Sequence, residues 1–177
     1  MKRPTFLWQA AGFAIATLLG TLLHFLYDWS GQSTWAAPFS GVNESTWEHM
    51  KLLYWPLLLF GLVQFFFFRD LTGFWWVKFP GTLAGLLLIP VLFYTYNGAF
   101  GKSPDWINIS IFYVAAAAAF LLEWRLFQRK IATWNHGWIA FAGLLVIGIL
   151  FVLFTFRSPQ LPLFLDPESG QYGIYEP

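Results

Sequence analysis

The sequence predicts an all-α integral membrane protein, a bundle of about five transmembrane helices followed by an extended C-terminal tail. Three observations predict it. Hydrophobic residues make up 58% of the 177 residues and charged residues only 11%, well below the roughly 25% charged content of soluble proteins. The apolar residues fall into five separated blocks, each close to the ~20 residues a helix needs to cross hydrocarbon. Tryptophans at positions 8, 29, 55, 75, 76, 106, 124, 134 and 138 gather at or near the block ends, where amphipathic rings anchor helices at the headgroups.

The first block runs from Phe6 to Tyr27 behind Lys2-Arg3. It is too long for a signal-peptide core and no small-x-small cleavage site follows promptly, so it is expected to stay as a helix. Gly31-Gln32-Ser33 then mark a turn. The second block is Leu52 to Phe68, closed by Arg69-Asp70 and Gly73. Gln64 is its one strongly polar residue, an amide suited to holding helices together. The third, Trp75 to Tyr96, contains Pro80 and Pro90, where kinks are expected. The fourth, Ile107 to Phe127, carries the alanine run 115–119, and the fifth is Trp138 to Phe156. Residues 1–157 therefore form one five-helix unit. Residues 158–177 form a tail whose prolines exclude regular helix, while Leu161, Leu163, Phe164, Leu165, Tyr172, Ile174 and Tyr175 are too apolar for a disordered segment. The tail is expected to fold back on the bundle.

Five spans put the termini on opposite sides. Lys2, Arg3, Arg69, Lys78, Arg125, Arg129 and Lys130 fall on one side, against Lys51, Lys102 and Arg157 on the other. Short basic loops resist translocation, so the expectation is a multi-pass protein of the cell membrane with its N-terminus cytoplasmic and its C-terminus outside. The outer side also collects Asp28, Glu44, Glu48, Asp105, Asp166, Glu168 and Glu176, an acidic face that concentrates cations. With net charge +1 and no basic patch, nucleic acid is excluded as a partner. Membrane lipids are the partners the composition requires, and no protein partner or oligomer is specified. The absence of cysteine rules out thiolate metal sites, disulfides and thiol catalysis.

The densest polar stretch is Asn43-Glu44-Ser45-Thr46-Trp47-Glu48-His49-Met50-Lys51, directly before the second block. Polar groups are costly near hydrocarbon, so the run marks the place to seek function. His24 and Asp28, four apart on the first helix, project from one face near its outer end, and a short loop brings them toward this run. Histidine nitrogens and carboxylate oxygens are the donors of zinc, iron and manganese sites. His24, Asp28, Glu48 and His49 are the candidate metal ligands, Glu44 the candidate catalytic base, and Asn43, Glu44, Trp47 and Lys51 the candidate ligand-binding residues. The cofactor these residues suit is a divalent metal. Glu48 and His49 lie ~100° apart on a helix, so both cannot face one point without distortion. Ser45-x-x-Glu48 also reads as a capping box, in which Glu48 returns to the Ser45 amide. His136 falls at the inner ends and cannot join the cluster.

The run Asn43 to Lys51, the preceding His24 and Asp28, and the ending Leu163-Phe164-Leu165-Asp166-Pro167 through Tyr172-Gly173-Ile174 resemble a family of small bacterial multi-pass membrane proteins classed only as a domain of unknown function. The resemblance covers most of the chain and implies a membrane location without an activity. By residue type alone, gathering His and Asp near one membrane face is similar to the alkaline ceramidase superfamily, whose seven spans and C-terminal His pair this chain lacks. The expected function is a ligand- or cation-binding or transport-accessory role at an acidic outer site. The alternative is a metal-dependent, membrane-embedded hydrolase using His24, Asp28, Glu44, Glu48 and His49.

Overall fold

Five helices carry the chain back and forth: α1 (Phe6–Trp29), α2 (Thr46–Phe68), α3 (Phe74–Phe100), α4 (Asp105–Phe127) and α5 (Gly137–Phe156). The computed structural model describes residues 3–174. Lys2, Tyr175 and Glu176, used in the charge and tail readings above, lie outside the described residues. All five helices are long and apolar enough to span a membrane, and the described residues form no strand, only an isolated bridge between Leu165 and Tyr172. The protein is a multi-pass helical membrane protein.

The boundaries follow the apolar blocks except that α3 runs four residues past the expected Tyr96, to Phe100, and α2 begins early. α2 starts at Thr46, six residues before the expected Leu52. The Ser45 hydroxyl caps it by accepting the Glu48 backbone N–H at 3.4 Å. Its charges enter the helix because they are neutralised there: Glu48 and Lys51 form an ion pair at 2.5 Å, both almost fully buried. α3 runs continuously through Pro80 and Pro90. That is tolerated in a membrane bundle, where neighbouring helices take up the freed backbone groups.

α2 is the most enclosed helix, buried on nearly every face. Its Trp47 indole packs on Phe151 of α5 at 4.5 Å between ring centres and on Phe164 of the tail at 4.7 Å. The Tyr54 hydroxyl donates to the Leu144 carbonyl at 2.6 Å, close to α5 because Gly148 leaves room for its ring. α3 and α4 approach through small residues. A Cβ placed on Gly85 would meet the Ala119 Cβ at 3.0 Å and the Ala115 carbonyl at 3.2 Å, so the alanine run is the seam of a close helix pair.

Lys78, counted above among the bases of one membrane side, is not at the surface, and neither is Glu123. They form a buried ion pair between α3 and α4 at 2.6 Å, with the ammonium also over the rings of Phe60 and Phe120 at 5.8 and 5.3 Å. Gly81 makes the space for the Glu123 side chain. Gln64 is buried, but its amide hydrogen-bonds to no protein group, so it is not the interhelical glue expected of it. Trp75 likewise leaves the expected aromatic belt: it is buried against Phe65 and Phe141, while Trp29, Trp106, Trp134 and Trp138 are exposed.

Candidate metal centre

The loop between α1 and α2 is stitched to both helices. The Ser40 hydroxyl accepts the Tyr27 N–H at 2.8 Å and donates to the Leu23 carbonyl at 2.5 Å, which fastens the loop to the last turn of α1. From α2, the Lys51 ammonium donates to the Ala37 carbonyl at 2.7 Å and the Trp55 indole to the Pro38 carbonyl at 2.9 Å. Glu48 accepts the Val42 N–H at 3.1 Å. This last contact replaces the return half of the capping box. Glu48 cannot serve the Ser45 amide because the Asn43 side-chain oxygen already accepts it at 2.9 Å. The result is a rigid loop end that presents Glu44 between the two helices.

There Glu44 meets two histidines. Its carboxylate oxygens lie 3.5 Å from His24 Nε2 of α1 and 3.5 Å from His49 Nε2 of α2. One donor atom from each of His24, Glu44 and His49 lies within 4.8 Å of the others. The imidazoles meet edge to face, with ring centres 5.7 Å apart. The His49 Nδ1 donates to the Ser45 carbonyl at 3.0 Å. A carbonyl only accepts, so this bond places a proton on Nδ1, orients the ring and turns Nε2 toward Glu44. The Glu44 carboxyl is held below its ordinary range, chiefly by its contact with His24. Burial opposes that shift, the charges of His49 and His24 add to it, and Asp166 opposes it.

The two nitrogen–oxygen distances, one to each carboxylate oxygen, can be compared with those around a metal ion. Two donors each ~2.0–2.1 Å from a tetrahedral ion are about 3.3–3.4 Å apart, close to the two nitrogen–oxygen distances here. As a hydrogen bond, 3.5 Å is long for N–H···O. Three protein donors would leave a fourth position open, as in metal centres that bind water or substrate. Glu44 and His49 line two adjoining cavities, of about 80 and 400 Å³.

Not every sequence candidate is in this group. Asp28 is exposed at the last turn of α1 and stands outside the three-residue cluster. Glu48 is committed to Lys51 and Val42, on another side of α2 from His49, as the ~100° step between neighbours requires. Among the candidate ligand-binding residues, only Glu44 lines the cavities. Asn43 donates to the Gly173 carbonyl of the tail at 2.9 Å, Trp47 is packed among aromatics, and Lys51 also donates to the Thr155 hydroxyl at 2.9 Å. His136 precedes α5 at the far end of the bundle, in the left-handed backbone region and without a side-chain cap.

Other residues line the cavities, ones that the sequence placed, at most, on the acidic outer face and not in the site. Asp105 and Asn108 of α4 and Glu168 of the tail line both cavities. The tail reaches them because Phe164 is buried against Trp47 and Phe154, and the Tyr94 hydroxyl donates to the Pro162 carbonyl at 2.9 Å. Asp166 is buried and organises the following turn by accepting the Glu168 and Ser169 N–H groups at 3.0 and 3.4 Å. Asp105 opens α4, where an acid suits the helix dipole, so its sequence context gave an ordinary reason for it.

Residues 2–174 match a family described as a family of unknown function (DUF6512). No curated protein and no solved structure matches the chain.

Proposed function

The chain belongs to the DUF6512 family of unknown function, and we propose that it binds a divalent first-row transition metal through His24, Glu44 and His49 at one end of its helix bundle. The observation that carries this reading is the convergence of two imidazole Nε2 atoms on one carboxylate at 3.5 Å each, with His49 already oriented by the Ser45 carbonyl. Two nitrogens and one oxygen suit zinc, iron, manganese or nickel better than magnesium or calcium, which take oxygen-rich shells. Asp28 and Glu48 are not ligands in this reading. The site end faces outward, as the distribution of loop cations favours.

A second reading is favoured by the cavities that flank the cluster. A metal with an open position beside a cavity lowers the pKa of bound water and supports hydrolysis at neutral pH. Because Glu44 is a ligand here, the proton acceptor in that chemistry is Asp105 or Glu168, the acids that line both cavities.

Thermal unfolding of the detergent-purified protein tests the binding reading. Stripping with a chelator is expected to lower the melting temperature, and adding back zinc or manganese to restore it. A ligand at a hundred times its Kd stabilises by about 2.7 kcal/mol. The Glu44→Gln variant is expected to show no response to either treatment. A wild-type protein indifferent to both would overturn the proposal.

A further inference from the structure

The larger cavity is a lateral groove between α1 and α4, and its walls change character along its length. At one end are His24, Glu44 and His49; beside them stand the acids Asp105 and Glu168. Away from them the lining becomes Gly20, Leu52, Phe112 and Tyr113. Gly20 lies one turn, roughly 6 Å, below His24 along α1. Ile109 and Tyr113 of α4 are 58% and 40% exposed, on a helix long and apolar enough to span a membrane. The apolar end of the groove therefore faces hydrocarbon, and its polar end faces the headgroup layer.

We infer that this groove admits a membrane lipid with an amine-bearing, zwitterionic phosphate headgroup, entering sideways between α1 and α4. The inference rests on the metal reading for the polar end and identifies the ligand class of that same site. Two features select this class. The apolar walls open toward the bilayer, so an acyl chain leaves through the α1–α4 gap without crossing water. The polar end combines a cation, for a phosphate or ester oxygen, with two carboxylates that suit an ammonium group. Asp105 and Glu168 both line the groove, and Lys102, a lining residue of the smaller neighbouring cavity, is absent from its lining. An anionic headgroup without an amine would meet those two acids unpaired and is disfavoured.

Native mass spectrometry of the full chain, released from vesicles of equal parts phosphatidylethanolamine and phosphatidylglycerol, tests this, with metal content measured on the same samples. Wild type is expected to retain phosphatidylethanolamine at least fivefold over phosphatidylglycerol. Asp105→Asn/Glu168→Gln is expected to erase that preference while still retaining lipid. Ile109→Trp, a replacement at an exposed position that fills the groove, is expected to lose retained lipid and keep its metal. Equal retention of both lipids by wild type, or unchanged retention in Ile109→Trp, would overturn the proposal. Lipid selectivity that persists in metal-free protein would overturn only the metal's part in it, so the two readings fail separately.

Discussion

Lys51 shows how one side chain can be read correctly as polar and wrongly as available. Next to a run of donors and acids it looks like a ligand-binding cation, yet it is fully buried and held by Glu48, the Ala37 carbonyl and the Thr155 hydroxyl. Removing one partner of a buried ion pair leaves an uncompensated charge, which costs about 3–5 kcal/mol, whereas replacing both is often neutral. Glu48→Gln is therefore expected to destabilise the purified protein by that amount, since glutamine keeps an acceptor for Val42 N–H but not the charge. Glu48→Gln/Lys51→Met is expected to recover most of the loss in a thermal melt. Both variants should retain metal; loss of metal in the recovered double variant would return Glu48 to the ligand set. The sequence showed that charges stood here. It did not show which were paired, because pairing depends on the loop carbonyls and on α5, distant in the chain.

At the level of elements, the helices were largely legible because hydrophobic length is a local property. α1 and α5 begin and end within two residues of the expected blocks. The start of α2 was not legible from hydropathy, because a neutralised ion pair allows polar residues inside the first turns. The α3–α4 seam was visible only as an alanine run; its meaning came from Gly85 on the facing helix. Gly85→Val should force the helices apart and destabilise by about 1–3 kcal/mol, the usual range for overpacking. Adding Ala119→Gly should restore part of that loss. Equal stability of wild type and Gly85→Val would mean that the seam is looser than its 3.0 Å approach implies.

The whole molecule has two charged levels with different roles. Near one end Lys78 and Glu123 close α3 onto α4 inside the core. At the other, His24, Glu44 and His49 meet beside a cavity lined by α1, α2, α4 and the tail. Moving Lys78 and Lys51 from loops to the interior removes one base from each side of the topology count, so the cation bias that favours an external histidine end remains. The chain has no native cysteine, so single replacements report orientation cleanly. Thr34→Cys, in the loop after α1, is expected to react with a membrane-impermeant maleimide on intact cells. Asn135→Cys, in the loop before α5, is expected to react only after permeabilisation. The reverse pattern would invert the orientation. Of the site itself, the sequence supplied all three clustered residues among its candidates but also offered Asp28 and Glu48. Choosing between them required the loop that carries Glu44 to be fixed in space.

The most direct test of the account is the metal content of purified protein across five single variants. About one equivalent of a transition metal is expected in wild type, Asp28→Asn and Glu48→Gln, and near zero in His24→Ala, Glu44→Gln and His49→Ala. Metal retained in the last three, or lost equally in all five, would contradict it.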